Sequence, residues 1–161
     1  MRIAIVCVGR AKASAEQELC DAFLKRACSA GKTLGFSQIE LVVVETSRGS
    51  STQARMAEER QRLVKRIPSA GHRVVLDERA DALKSEAFAE RLASLRDSGV
   101  RDLVFVIGGP DGLAPDFREE AQEQISLGPQ TWPHLLVRAM LAEQIFRGLT
   151  IMSGHPYHRG G

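Results

Sequence analysis

The last nine residues of the chain, SGHPYHRGG, concentrate side chains that can do chemistry. They include His155, Tyr157, His158 and Arg159, and so hold two of the four histidines and the only tyrosine. Imidazole accepts protons near neutral pH, a phenol can stack on a nucleobase, and a guanidinium can hold a phosphate. These residue types predict a binding or catalytic terminus. Their spacing alone leaves open a flexible, weakly basic end.

A second candidate is the glycine-rich segment VIGGPDGL at residues 106–113, which follows an apolar run. Glycine lets a ligand approach the backbone closely, so such a loop can take a nucleotide-like ligand. Neither of the standard phosphate-binding glycine patterns occurs here, and Asp111 in the loop disfavours an anion. The segment therefore indicates a nucleotide-like ligand about as strongly as a simple tight turn.

A third candidate is SLGPQTWPH at residues 126–134, which precedes an apolar helical pattern. Gly128, Pro129 and Pro133 make this segment stiff, and the free backbone N–H groups of the helix start lie near Thr131 or Trp132. Two stiff loops at neighbouring strand ends predict a shared pocket. Such a segment can also be a plain connection.

Strand and helix patterns alternate along the chain, which is typical of an α/β protein with a mostly parallel sheet flanked by helices. Ser14 and Ser85 are predicted helix N-caps. The carboxyl ends of parallel strands are where ligands bind in such sheets, so both loops above are in the right place. The sequence predicts strands at 2–8, 39–45, 72–77, 102–109 and 123–128, and helices at 14–31, 52–66, 85–99, 114–121 and 133–149.

Composition narrows the class of protein. The 161 residues suit one domain spanning 1–161, with 43% hydrophobic and 26% charged residues. No apolar run approaches membrane-spanning length and no signal peptide is recognisable, so we expect a cytoplasmic protein without membrane contact.

The three cysteines lack metal-binding spacing, so we expect no metal site. The net charge is only +2, but a basic group at 55–66 suits either an anionic partner or a solvated helix face.

The segments VFVIGGPDGL, TWPHLLVRAMLAEQIFRG and GHPYHR occur in that order. Together they resemble the SPOUT-class methyltransferases that modify N3 of a pseudouridine in large-subunit (23S) ribosomal RNA. The likeness covers essentially the whole chain and is looser over residues 10–70. It implies an α/β knot fold with a C-terminal trefoil knot, S-adenosylmethionine as cofactor, a homodimer, and ribosomal RNA as substrate, within the assembled ribosome.

The resemblance also implies residue roles. The family's closing motif falls on the tail, so His155, Tyr157, His158 and Arg159 are the predicted catalytic residues. Ala80, Phe146 and Trp132 depart from the residues usual in the family, and Trp132 reshapes the expected adenosine pocket. The cofactor contacts fall on Leu76, Gly109, Gly128, Pro129, Gln130, Thr131, Trp132 and Pro133.

Methyl transfer to a ring nitrogen needs a group that accepts its proton, and His134, His155 and His158 are the candidates. Arg159 or Arg138 is the candidate for stabilising the oxygen that becomes negative. Two other functions remain open: a non-catalytic ribosome-associated RNA-binding module with the same fold, and a small-molecule nucleotide-binding enzyme. Cofactor binding separates the first from the methyltransferase.

Overall fold

A computed structural model describes residues 1–10 and 13–158 of the chain. Its strands are β1 (Arg2–Val8), β2 (Gln38–Val44), β3 (His72–Leu76), β4 (Asp102–Ile107) and β5 (Glu123–Ile125). Its helices are α1 (Ala15–Gly31), α2 (Thr52–Val64), α3 (Ser85–Asp97), α4 (Pro115–Glu119) and α5 (His134–Met152), and a short 3₁₀ turn covers Lys32–Leu34. The alternation predicted from the sequence is confirmed.

The five strands form one sheet in the order β2-β1-β4-β3-β5, and every pairing is parallel. All carboxyl ends therefore lie at the same edge of the sheet. The loops that follow β4 and β5 lie on either side of β3 in that edge. The two glycine–proline loops are thus one strand further apart than the sequence suggested, and the end of β3 lies between them.

Alternating side chains of β1 divide the core into two layers, as the period of two in a strand requires. Ile3, Ile5 and Cys7 are fully buried in the cluster that includes α1, α3 and α5. Val6 and Val8 are fully buried in the opposite cluster, which α2 and α4 close with side chains such as Leu63 and Phe117. The sheet is covered on both faces, and only its edges and strand ends are free for a ligand.

One of the two predicted helix caps is confirmed and the other is wrong. The Ser14 hydroxyl accepts a hydrogen bond from the Gln17 N–H at 3.2 Å and so begins α1. The N-cap of α3 is Lys84, without a side-chain cap, and Ser85 is the first helical residue. The Ser85 hydroxyl donates to Gln144 on α5 at 3.1 Å, because packing of α3 against α5 offers it a nearer acceptor.

The longest helix, α5, is mostly buried and packs against α1 and α3. Across residues 1–10 and 13–158, no helix is long and apolar enough to cross a membrane.

Candidate functional site

A cavity of about 750 Å³ opens at the carboxyl ends of β3, β4 and β5. This size is within the range of small-molecule and cofactor sites. Of the residues expected to contact a cofactor, six line it: Leu76, Gly109, Gly128, Gln130, Thr131 and Trp132. Pro129 and Pro133, also expected to contact the cofactor, are not among its lining residues.

The loop after β4 turns back on itself at the cavity wall. The Gly112 N–H donates to the Gly109 carbonyl at 2.9 Å, and Gly112 has a φ of +81°, which favours glycine. Gly109 is needed for a different reason. A Cβ atom there would lie 2.7 Å from Oε2 of Glu59 and 3.0 Å from Cγ1 of Val8. The Gly109 backbone therefore lies so close to Glu59 and Val8 that a residue with a Cβ atom does not fit there.

Helix α2 fixes this loop from behind. Arg55 binds Asp111 through two hydrogen bonds, of 2.7 and 3.0 Å. Glu59 is 2% exposed, and its Oε1 accepts the Ser47 N–H at 2.9 Å. Its Oε2 faces Gly109 and has no hydrogen-bond partner within the described part of the chain. The basic group at 55–66 is therefore largely structural, since Arg60 and Arg62 also pair with carboxylates.

The loop after β5 forms the opposite wall. The Ser126 hydroxyl accepts the Gly128 N–H at 3.1 Å and lies 2.8 Å from the Gly128 carbonyl, to which it donates. Gly128 has a φ of +116°, and a Cβ there would lie 3.0 Å from the side-chain oxygen of Gln130. Trp132 keeps 38% of its surface exposed at the cavity mouth. This loop presents backbone and one large aromatic face to a ligand.

The acidic rim of the cavity is partly neutralised. Burial acts to raise the pKa of Asp77, but the Arg79 N–H and the Arg118 guanidinium more than reverse this, and the net pKa is lowered. The Arg55 hydrogen bond lowers the pKa of Asp111. Glu78 is exposed and receives one hydrogen bond, from Thr131 at 3.3 Å. Among the described residues, Glu78 and Arg79 are the rim charges without an ion-pair partner, so the two balance and the rim is close to neutral. Among the described residues no cluster of three metal-binding side chains occurs.

His134 lines the cavity at the start of α5, next to a buried guanidinium. Arg138 is 1% exposed, and its Nη2 lies 2.6 Å from Nε2 of His134 and donates to the Val8 carbonyl at 3.0 Å. Burial and the Arg138 charge lower the pKa of His134, against a smaller contribution from the Val8 carbonyl. Gly9 is required beside this pair, because a Cβ there would lie 2.3 Å from Nη2 of Arg138.

The described part of the tail, residues 153–158, contacts α5 and α3 and is not among the residues that line the cavity of its own chain. The Tyr157 ring packs on Phe146 at a centroid distance of 4.8 Å, and its hydroxyl donates to Glu143 at 3.1 Å. Burial, and then the Glu143 charge, raises the pKa of Tyr157, so it is a neutral phenol at pH 7.

Both tail histidines have one ring nitrogen engaged. Nε2 of His158 lies 2.8 Å from a Glu86 carboxylate oxygen, while its Nδ1 is buried and has no partner among the described residues. Nδ1 of His155 accepts the Tyr157 N–H at 3.1 Å. Arg159 lies outside the described residues.

Comparison of the chain with known proteins identifies its family. Residues 1–158 match the family model described as "Predicted SPOUT methyltransferase". The chain belongs to the SPOUT methyltransferase family. The fold of this chain is similar to that of a protein from Haemophilus influenzae Rd KW20, described as a probable methylase family protein. The TM-score is 0.50 and the sequence identity is 13%. The match covers 98% of this chain and 70% of that protein.

Curated members of the family are much more similar. Proteins from Rhizobium meliloti (strain 1021) and Bradyrhizobium diazoefficiens are 46% and 45% identical to the chain, and one from Xanthobacter autotrophicus is 44% identical. Each alignment spans 159 residues, or 99% of both proteins. All three are called "Ribosomal RNA large subunit methyltransferase H".

Reasoning from the sequence missed the two residues of α2 that position the SPOUT glycine loop, Arg55 and Glu59. Their helix has the composition of a solvated face. Only the low exposure of Glu59, which depends on the fold, distinguishes it from the exposed Glu58. The one available signal was Asp111, an acid in a glycine loop that requires a cation nearby.

Proposed function

We propose that this chain transfers a methyl group from S-adenosylmethionine to N3 of a pseudouridine in large-subunit ribosomal RNA. The observation that carries the proposal is the cavity between two glycine loops at the carboxyl ends of β3, β4 and β5, in a chain of the SPOUT family. The names of its relatives support ribosomal RNA as the substrate. The trefoil knot that the resemblance implies belongs to the same proposal.

The cavity suits S-adenosylmethionine in shape and in charge. Leu76, Ile107 and Leu113 offer apolar surface to an adenine. The Gly109 and Gly128 carbonyls each accept one hydrogen bond within their loops and keep a second lone pair for a ligand. The exposed Glu78 carboxylate suits a ligand that carries positive charge. When bound, S-adenosylmethionine supplies an electrophilic methyl group on a sulfonium. The residues of this chain bind it, exclude water and position the acceptor.

We further propose that a second copy of the chain completes the site. An apolar groove of about 530 Å³ lies between α1, α3 and α5, and Leu19 and Leu83 at its margin are 45% and 43% exposed. Ile125, Ser126, Leu127 and Gly128 line both this groove and the cavity. A copy seated in the groove therefore borders the cavity and can bring its own tail to it. This explains how the tail serves a cavity that it does not line in its own chain.

Within the tail, His158 is the better candidate for the base that accepts the N3 proton. Its Nε2–H donates to Glu86, which orients the ring and leaves a lone pair on Nδ1. Because Nδ1 is buried in this chain, the proposal requires that docking on the partner's cavity exposes it. His155 already uses its Nδ1 as an acceptor. Tyr157, neutral and held by Glu143, is suited to orienting the base.

Three exposed arginines at the carboxyl edge of the sheet support an RNA partner. Arg10 follows β1, Arg48 follows β2 and Arg79 follows β3. None of the three pairs with a carboxylate within the part of the chain described. Their strands span ~15 Å of the edge at the usual strand spacing. Unpaired arginines so spaced can hold successive phosphates beside the cavity.

The experiment mixes two inactive variants. A subunit with Gly109→Val lacks the cofactor cavity, and a subunit truncated before His155 lacks the tail. Each homodimer should fail to methylate isolated ribosomes, whereas the mixed dimer, which has one intact composite site, should regain transfer. Mass spectrometry of the ribosomal RNA identifies the product. Activity in the truncated homodimer, or none in the mixed dimer, would contradict the shared site.

A wild-type chain that binds S-adenosylmethionine but methylates neither ribosomes nor ribosomal RNA would contradict the proposed substrate. Failure to bind the cofactor at all would favour the non-catalytic RNA-binding module.

A further inference from the structure

Arg138 is a buried cation that has no acidic partner in residues 1–10 and 13–158. Its guanidinium is 1% exposed and donates to two backbone carbonyls, those of Val8 at 3.0 Å and Arg10 at 3.4 Å. Its third partner is the ring of His134. Buried arginines are normally paired with carboxylates, and a structural cation could be replaced by an apolar side chain at little cost. Arg138 lies one helical turn after His134, which lines the cavity. A charge at this position therefore indicates a functional role and not only a structural one.

The contact fixes the tautomer of His134. A guanidinium nitrogen has hydrogens to donate and no lone pair to accept with. Arg138 is therefore the donor in this 2.6 Å contact, and the tautomer that forms it is the one in which Nε2 of His134 carries the lone pair. In a neutral imidazole the proton then lies on Nδ1. Burial and the adjacent cation lower the pKa of His134, which keeps the ring neutral at pH 7.

Nδ1 of His134 has no hydrogen-bond partner among the described residues, and the side chain lines the cavity. The ring nitrogen left for a ligand is then an N–H donor, and the nitrogen able to accept a proton is occupied by Arg138.

We infer that His134 serves the reaction as a neutral hydrogen-bond donor to the target base, and that Arg138 is the positioning residue that holds it in this form. The acceptor is the ring carbonyl oxygen next to the attacking nitrogen, which gains negative charge as the N3 proton leaves. A polarised neutral imidazole is suited to stabilising such an oxygen. This inference rests on the proposed function, and it removes His134 from the candidate bases.

Two conservative variants separate the possible roles. In His134→Asn the side-chain amide nitrogen replaces Nδ1–H, so the donor is kept and the contact with Arg138 is lost. In His134→Gln the amide oxygen replaces Nε2, so the contact with Arg138 is kept and the donor is lost. We expect kcat for methyl transfer to ribosomes to fall about 100-fold in His134→Gln, as for loss of one oxyanion donor. The fall in His134→Asn should be at least several-fold smaller.

Which of the two variants loses more kcat distinguishes a hydrogen-bond donor from a base or a structural residue. If His134 were the base, both variants would lose kcat equally, because neither amide can take its place as a base. If His134 were purely structural, His134→Gln would lose less than His134→Asn, because only Gln keeps the contact with Arg138. Equal losses, or a larger loss in Asn, would overturn the inference. His72→Asn is the matched control, since His72 lies near Glu123, at the amino end of β3 and away from the cavity.

A second measurement does not depend on activity. ¹⁵N chemical shifts of the four histidines in the ligand-free protein should assign a protonated Nδ1 and an unprotonated Nε2 to His134 at pH 7. In Arg138→Met the Nε2 shift should move towards the tautomer average, and the pKa of His134 should rise. A protonated Nε2 in the wild type would overturn the inference. If the wild type is inactive on ribosomes while the shifts are as expected, the proposed function fails and the locked tautomer stands.

Discussion

Arg55 on α2 and Asp111 in the glycine loop meet in a two-point contact, with Nε to Oδ2 at 2.7 Å and Nη2 to Oδ1 at 3.0 Å. The same guanidinium also reaches the Gly49 carbonyl at 3.3 Å, so it joins the loop after β2 to the loop after β4. Two loops at the carboxyl edge of the sheet are therefore held in register by one side chain. Asp111 is therefore held in place as part of the cavity wall.

Replacing Arg55 by Met should weaken S-adenosylmethionine binding several-fold while the protein stays folded. The loop would lose its link to α2, and Asp111 would be free to turn into the cavity. Isothermal titration calorimetry measures the affinity. Arg2→Met is the control, because Arg2 makes a matching two-point contact with Asp102 at the opposite edge of the sheet, with distances of 2.6 and 2.9 Å. Equal affinities in the two variants would refute a role for Arg55 in the site.

Replacing Gly109 by Ala should both destabilise the protein and weaken cofactor binding. The added Cβ would lie 2.7 Å from the buried Glu59 carboxylate, so the loop must shift into the cavity. Overpacking of this kind costs ~1–3 kcal/mol. Thermal unfolding and calorimetric titration measure the two effects.

Gly99→Ala is the comparison for Gly109→Ala. Gly99 has a φ of +85° and nothing within 4 Å of an added Cβ, so this variant should lose stability through backbone strain and keep its affinity. If Gly109→Ala binds the cofactor as well as Gly99→Ala does, the close approach at Gly109 is irrelevant to binding.

The cysteines should make the protein sensitive to alkali and insensitive to thiol reagents. Burial raises the pKa of both Cys7 and Cys20 to about 11, with the Arg138 charge acting in the opposite direction. Because the folded-state pKa lies above the unfolded value, their contribution to stability is complete below pH ~9 and is lost as the pH rises through 11. The melting temperature should fall over that window.

At pH 8 a thiol reagent should modify at most the half-buried Cys28 in the native protein, and all three cysteines after unfolding. Cys7→Ala and Cys20→Ala together should flatten the alkaline fall in melting temperature. Rapid modification of three thiols in the native state would contradict their burial.

Much of the fold was accessible from the sequence, because local patterns carry it. Apolar runs such as residues 2–8 and 102–107 are buried on both faces, which only a covered parallel sheet provides. The helical periods and the Ser14 cap are equally local. Ser85 was wrongly predicted to be a cap, because its hydroxyl bonds to a residue 59 positions away.

The candidate site was predicted in part. The two glycine–proline loops were recognised from residue types, since close backbone approach requires glycine. The contacts behind them were not, because Arg55 and Asp111 are 56 residues apart and Arg138 and Val8 are 130 apart. No spacing rule relates such pairs.

The sequence by itself determined the α/β class, the stiff loops and the chemistry gathered in the tail, since each depends on neighbouring residues. Only the tertiary structure decided that β3 lies between the two loops, that Glu59 supports Gly109, and that tail residues 153–158 pack away from the cavity of their own chain. The same holds for the proton on His134. Its place depends on a guanidinium that folding buries beside the ring, and burial is a property of the whole chain.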